Sequence, residues 1–290
     1  MGASVRRKED DRLLRGAGRY TDDFTLPGML SMAVVRSPHA HARVVGIDAS
    51  SARKLAGVIA VLTRADLPEC AGSVPPLVPA PEFHRYHHPV LAAERVMHLG
   101  EGVAVVVAEN PYIAADAVEC VAVEYEPLPI AASPERALAP GAPRVHDDWP
   151  SNLAGISESR TGDAKSAFAR ADLIVEMELN YPRVAGMPIE GRGVLASYDG
   201  ATGLLTVWLS TQVPFGVRAG IAAVLGMAEE HVRVIAPEVG GGFGVKGHAY
   251  PEDILVPAVA RRLGRPVKWI ETRREHFLTA AADRDQAHHA

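Results

Sequence analysis

The sequence predicts a mixed α/β protein of the α+β kind, built from two successive domains. Three observations carry this. Short valine-rich apolar runs of strand length alternate with brief helical patterns along the 290 residues. A proline-rich stretch near the middle separates two such series. The second series is organised around one segment, Glu238-Val-Gly-Gly-Gly-Phe-Gly-Val-Lys246.

Taken in order, residues 1–17 are polar and charged and read as an extension. Residues 30–35 and 42–47 have strand composition. Asp48 is placed to cap a helix over 49–55 that Gly57 ends. Val58-Ile-Ala-Val-Leu62 is near-continuously apolar, as in a buried strand, and 63–66 reads as a helical turn. This is a βαβ-like unit. A second follows: a strand over 102–108, Asn110 as N-cap, Pro111 in the first turn, a helix over 112–119, and a strand over 120–125 closed by Pro127. Between the units, 68–89 is rich in proline and histidine. His84, His87 and His88 bring no further placed ligand and read as surface loop rather than metal site.

Residues 127–152 carry six prolines and little periodicity, which sets a linker over 131–155. The second domain, 156–290, then shows a short helix at 163–170 and a strand at 173–180. Strands at 193–198 and 204–209 flank the turn Asp199-Gly-Ala-Thr-Gly203. Pro214 opens a helix that Gly226 closes. A strand at 232–236 leads into the glycine run, and a helix over 250–263 follows, with Pro257 interrupting its pattern. A strand at 266–270 and a helix at 272–280 come last. No closing element is expected over 283–290, so this domain reads as incomplete.

Four glycines within five residues let the backbone bend sharply and bring its N–H groups close to a ligand. Such a turn before a helix suits an anionic or oxo group. Phe243 either wedges against that ligand or anchors the loop. The run is not a P-loop, because Gly247 follows Lys246. Gly242, Gly244 and Gly247 do have G-x-G-x-x-G spacing, with Glu271 where a ribose-binding acid would stand. Gly242 lies well beyond the strand end, which counts against that reading. A tight turn with no ligand is the plain alternative.

Composition excludes several classes. The chain is 48% hydrophobic and 22% charged, with a net charge of −5. It lacks the basic run of a nucleic-acid binder and any apolar run of membrane-spanning length. Cys70 and Cys120 form no disulfide framework or metal spacing and fit a reduced compartment. The N-terminus lacks an apolar signal core, so a cytoplasmic location is expected.

Several segments together resemble one family. Gly18-Arg-Tyr-Thr-Asp-Asp-Phe24, Leu26-Pro-Gly-Met-Leu30, Arg36-Ser-Pro-His-Ala40, Glu101-Gly-Val-Ala-Val-Val-Val-Ala108 and Val123-Glu-Tyr-Glu-Pro-Leu-Pro129 are similar to the signatures of an α/β hammerhead domain, placed here over 18–130. Ser210-Thr-Gln212 and Gly240-Gly-Gly-Phe-Gly-Val-Lys246 resemble two cofactor-facing segments of the domain that follows it. The family is the xanthine dehydrogenase and aldehyde oxidase molybdenum hydroxylases, with most similarity to large subunits of the carbon-monoxide-dehydrogenase type. The resemblance implies a hammerhead domain followed by an incomplete molybdopterin-binding α+β domain. It also implies a molybdenum–molybdopterin cofactor, in the cytosine dinucleotide form of bacterial relatives. FAD and a 2Fe-2S cluster are expected on separate medium and small partner subunits, with a remainder of the molybdopterin-binding domain as a further partner.

By the same resemblance, Gln212 and Phe243 stand beside the molybdenum oxo group, and Gly241, Gly242 and Gly244 offer backbone donors. Arg192 is a further cofactor-binding candidate, with pairing to Glu190 or another acid as its alternative. Lys246 reaches the cofactor or a carboxylate, or is solvated. His248 packs against or caps the next helix, and His39 is structural. No residue of this chain is expected to ligate the metal directly. The family's catalytic glutamate is expected downstream of residue 290. Gly191 stands where relatives carry proline, and Gly247 stands where purine-oxidising members carry glutamate, which counts against a purine substrate. The alternatives carried alongside are an inactive or split subunit and a nucleotide-binding module without redox chemistry.

Overall fold

The structure, a computed structural model, describes residues 2–75, 83–84 and 88–290; His87 lies outside the described residues. Its first half contains α1 (Asp10–Leu14), β1 (Leu30–Arg36), β2 (Ala42–Asp48), β3 (Val58–Thr63), β4 (Arg95–Val96), β5 (Gly102–Ala108), α2 (Pro111–Glu119) and β6 (Ala122–Pro127). Then follow α3 (Pro134–Leu138), α4 (Ala164–Ala169), β7 (Glu178–Tyr181), β8 (Val184–Ala185), β9 (Gly193–Asp199), β10 (Leu204–Leu209) and α5 (Pro214–Leu225). The chain continues through β11 (Val232–Ile235), α6 (Pro251–Leu263), β12 (Val267–Ile270), α7 (Arg273–Thr279), β13 (Ala282–Asp283) and β14 (Gln286–His289).

One mixed sheet of seven strands, in the order β11-β10-β9-β12-β1-β5-β3, forms the frame. Strand β1 pairs in parallel with β12, Leu30 opposite Val267, so the sheet runs across both sides of the proline-rich stretch. Strand β5 shows why this frame forms. Val103 to Ala108 are all fully buried, and the side chains of residues 103–107 divide between two cores. Val105 and Val107 join the core under α5 and α6, with Leu30, Ile254 and Trp269. Val103, Ala104 and Val106 join a second core with Ala117 of α2 and Val96, against the small sheet β4-β2-β6.

Helix α6 is buried continuously from Glu252 to Ala260, and it runs through Pro257 without a break. Burial of that apolar length outweighs the one donor that Pro257 removes. Gly226, in the left-handed region at φ 61°, closes α5 as its composition predicts.

Four expectations are corrected. Neither βαβ-like unit exists: β5 pairs antiparallel with both β1 and β3, while β2 and β6 belong to another sheet. The helix over 49–55 is only a 3-10 turn, Ala52–Lys54, because the Asp48 carboxylate accepts from Ser50 N (2.8 Å) in a local turn. The strand over 173–180 begins only at Glu178, leaving Leu173, Ile174 and Val175 exposed. The C-terminal residues do close: β13 pairs with β8 and β14 with β7, around Arg284 and Asp285 at positive φ. The linker region is also folded. Asn152 Nδ2 donates to the carbonyls of Ala137 (2.9 Å) and Pro143 (3.0 Å), and its Oδ1 accepts from Val145 N (2.9 Å).

Candidate molybdopterin-facing site

The glycine run leaves β11 and reaches α6 along a path fixed by side chains from distant segments. Glu190 is the hub. Its Oε2 accepts from Gly240 N (2.7 Å), Ser210 Oγ (2.7 Å) and Lys246 Nζ (3.0 Å), and its Oε1 from Thr21 N (3.3 Å). Lys246 also donates to Ser210 Oγ (2.7 Å) and is 1% exposed, so it is neither solvated nor facing a ligand. Burial pulls its pKa below the usual lysine range, and the Glu190 carboxylate opposes that by favouring the ammonium. Tyr250 OH donates to Val245 O (2.5 Å) and pins the far end of the loop.

Gln212 comes against the loop from the end of β10. Its N–H donates to Lys246 O (2.9 Å), and its side-chain Oε1 accepts from Gly244 N (3.1 Å). That contact orients the amide and leaves its NH2 as a donor. A Cβ on Gly242 would lie 2.5 Å from Gln212 Cδ, so this approach requires glycine. Gly241 turns through φ 99°, and Phe243 itself sits at φ 50° with 73% of its surface exposed. A bulky aromatic in the left-handed region is strained. Among the described residues, the N–H groups of Gly241, Gly242 and Phe243 donate to nothing. The site thus presents three successive backbone donors and one side-chain amide, beside an exposed ring.

A cavity of about 340 Å³ lies elsewhere, between β5, α6 and α7. In the glycine loop, Phe243 and Gly244 are exposed and Gly241 and Gly242 are half-buried.

Comparison with known proteins identifies the family. The family model for the molybdopterin cofactor-binding domain matches residues 145–290. The model for the aldehyde oxidase and xanthine dehydrogenase α/β hammerhead domain matches residues 15–129. The chain belongs to the aldehyde oxidase and xanthine dehydrogenase family. It is 37% identical over 99% of its length to the nicotine 6-hydroxylase large subunit of Paenarthrobacter nicotinovorans, of which it covers 35%. It is 39% identical over 98% of its length to the carbon monoxide dehydrogenase large chain of Afipia carboxidovorans, of which it covers 36%. The crystal structure of quinoline 2-oxidoreductase from Pseudomonas putida superposes with a TM-score of 0.91 at 42% identity, over 99% of this chain and 36% of that one. The chain thus spans about a third of the length of these large subunits.

Within this family framework, Arg192 stands apart from the loop. It is 2% exposed, bonded through Nε to Glu271 Oε1 (2.7 Å), through Nη1 to Glu252 Oε2 (3.1 Å) and through Nη2 to Thr279 Oγ1 (2.7 Å). Its guanidinium also lies 3.9 Å from the Tyr250 ring centroid. The acids it pairs with are Glu252 and Glu271, not Glu190. Glu271 accepts from Arg192 and contacts His276 Nδ1 (2.9 Å), and its side chain is fully buried. It is closed to a ribose, which removes the support that the G-x-G-x-x-G spacing lent to a nucleotide site. His248 is exposed and caps nothing; its ring meets Tyr250 edge-on at 6.4 Å. His39 packs on Tyr125 at 5.0 Å. The anchoring roles of Glu190 and Tyr250 had no sequence signal beyond the Glu190–Arg192 proximity, which pointed to the wrong pair.

Proposed function

We propose that this chain is the hammerhead domain (18–130), linker (131–155) and first part of the molybdopterin-binding domain (156–290) of a molybdenum hydroxylase large subunit. The oxidised substrate is a small N-heterocycle or aldehyde, and water supplies the oxygen. The names of two relatives, which concern nicotine and quinoline, favour a heterocycle. Gly247 after Lys246 favours a substrate other than a purine.

The observation that supports this reading most is the row of unpaired N–H groups at Gly241, Gly242 and Phe243 beside the Gln212 amide. Such donors fit an oxygen-rich, anionic group such as a pyranopterin phosphate or a metal oxo ligand. When bound, the molybdenum cofactor supplies a water-derived oxygen donor and a two-electron acceptor. The loop N–H groups hold and orient it, the Gln212 NH2 donates to an oxygen, and Phe243 offers an apolar wall. Arg192 serves by bracing the segments behind the loop. We further propose the cytosine dinucleotide form of the pterin, FAD and 2Fe-2S on medium and small subunits, and a cytoplasmic location. Among the described residues, no helix is long and apolar enough to cross a membrane.

Leu173, Ile174, Val175, Met177 and Ile189 are exposed on the second half, 95% in the case of Ile189. This supports the presence of further polypeptide over that face. The test is molybdenum measured by elemental analysis in the complex purified from its own cells. Gly242→Val, whose side chain displaces Gln212, is expected to abolish molybdenum retention. Normal molybdenum content in that variant would sink the assignment.

A further inference from the structure

A second cavity, of about 330 Å³, lies between β2, β4, the residues after β6 and the linker, and none of its lining residues belongs to the glycine run. Its wall brings like charges together. Strands β2 and β4 pair antiparallel with Arg43 directly opposite Arg95, and Arg144 of the linker lines the same space. Like charges at facing positions of a ladder destabilise it. Two carboxylates answer the three guanidinium groups: Asp147 lies 2.5 Å from Arg95, and Glu126 lies 3.8 Å from Arg43. Among the described residues, Arg144 donates only to the Trp149 carbonyl (3.1 Å). A guanidinium carries five N–H donors, so most of those on Arg144 are left for solvent or a ligand.

His41 stands in the same wall and is 9% exposed. Its Nδ1 lies 2.8 Å from Pro129 O. A carbonyl only accepts, so Nδ1 carries a proton and Nε2 of the neutral ring keeps its lone pair. That Nε2 is buried with no partner. A buried acceptor without a donor is costly. The Asp147 carboxyl is held below its usual range, by the Arg95 hydrogen bond first and by the charges of Arg144 and His41 as well, so these groups are gathered around one place. They are held there by the fold itself. His41 O accepts from Leu128 N (2.9 Å), and Val44 N donates to Glu94 O (2.8 Å), which ties β2 to both neighbouring segments. The Asn152 side chain bonds to Pro143 and Val145, one on each side of Arg144.

An anion answers both the excess of guanidinium and the lone pair. Donors from three separate segments suit a tetrahedral anion with several oxygens, whereas a planar carboxylate is filled by one guanidinium fork. The His41 lone pair calls for an O–H. A phosphate, whose second pKa is about 6, offers anionic oxygens to the arginines and a residual O–H to Nε2. Sulfate offers only the oxygens. The cavity is also far larger than the roughly 10–15 Å³ that one water requires, which leaves room for more than inorganic phosphate.

We infer that this cavity binds the phosphate group of a small phosphate monoester, held by Arg43, Arg95 and Arg144, with its O–H directed at His41. The site does not rest on the proposed function, and either can fail alone. The experiment is isothermal titration of the purified complex at about pH 6, where a phosphate still carries a proton, with glycerol 3-phosphate, inorganic phosphate and sulfate in turn. Saturable binding is expected, tightest for the ester, with sulfate about 10-fold weaker than phosphate. Arg144→Gln should weaken both phosphates about 10-fold. His41→Asn keeps an N–H for Pro129 O and should bring phosphate down to the affinity of sulfate. No saturable binding of either phosphate would overturn the site, as would binding that survives unchanged in both Arg144→Gln and Arg43→Gln. Sulfate matching phosphate in the unsubstituted complex would overturn the role of His41 independently of how any variant folds. Inorganic phosphate binding more tightly than the ester would overturn the choice of a monoester.

Discussion

Two polar regions lie on either side of Tyr250 and handle their hydrogen bonds in opposite ways. Behind it, Arg192, Arg36, Glu252, Glu271 and His276 form a buried lattice in which each charge meets an opposite charge or a donor. In front of it, the glycine loop leaves three successive N–H groups, and Gln212 its NH2, without partners among the described residues. Charges held inside are expensive unless paired, so the lattice is closed and rigid. Donors left unpaired at a surface cost little until a ligand dehydrates them, so the loop is the place where binding is cheap. The conspicuous arginine is thus spent on internal pairs, while the inconspicuous loop amides are left available.

The sharpest way to break the comparison is Arg192→Ala. It leaves Glu271 with only His276 and Glu252 with only Arg36, and the expected loss is about 3–5 kcal/mol, read by urea unfolding of the purified protein. A loss well under that range would mean water reaches the lattice and the two regions are alike.

The next effect depends on pH. Burial raises Asp253 from 3.8 to about 7, while burial opposed by Arg192 and Arg36 leaves Glu252 lowered from 4.5 to about 2. For Asp253 the folded state holds the proton longer than the unfolded chain. Stability from this group is full below 3.8 and lost as pH rises through about 7. For Glu252 the sign reverses: stability is full above 4.5 and lost as pH falls through about 2. Asp253→Asn keeps an acceptor for Tyr250 N and should flatten the decline, by a few kcal/mol, between about pH 4.5 and about pH 7.5. Unfolding curves at the two pH values check this, and an unchanged slope would show that the fold does not hold a proton on Asp253.

The smallest effect sharpens the loop side. Phe243→Gly relieves the positive φ and should raise stability by up to about 1 kcal/mol in the absence of cofactor, since the exposed ring has little packing to lose. Differential scanning calorimetry measures it. A loss instead of a gain would show that the ring anchors the loop.

Much of this was legible in the residues. Valine runs at 58–62 and 102–108 mark strands because β-branched side chains suit a pleated, buried surface. Asn110-Pro111 and Pro214 mark helix starts, and Gly226 a helix end, because each fixes a local backbone geometry. The loop was legible because its glycines are a backbone statement, and Gln212 was reached through the family resemblance. What stayed hidden is what depends on distant pairing. Glu190 finds Gly240 and Lys246 across 50 and 56 residues, and no period in the sequence reports such contacts. The sheet register was hidden for the same reason, since the β1–β12 pair joins Leu30 to Val267. Local patterns suggested βαβ units because they describe elements and not neighbours.

The position of β12 has a consequence for how the molecule is made. It is an interior strand, held between β9 and β1, yet both of these neighbours precede it along the chain. Until Val267–Ile270 emerges, β1 and β9 present two open edges with nothing between them. Folding of the shared frame therefore waits for distant segments to meet, a long-range closure. A nascent chain arrested just before residue 267 would expose both edges at once, and that is the state a chaperone would need to shield.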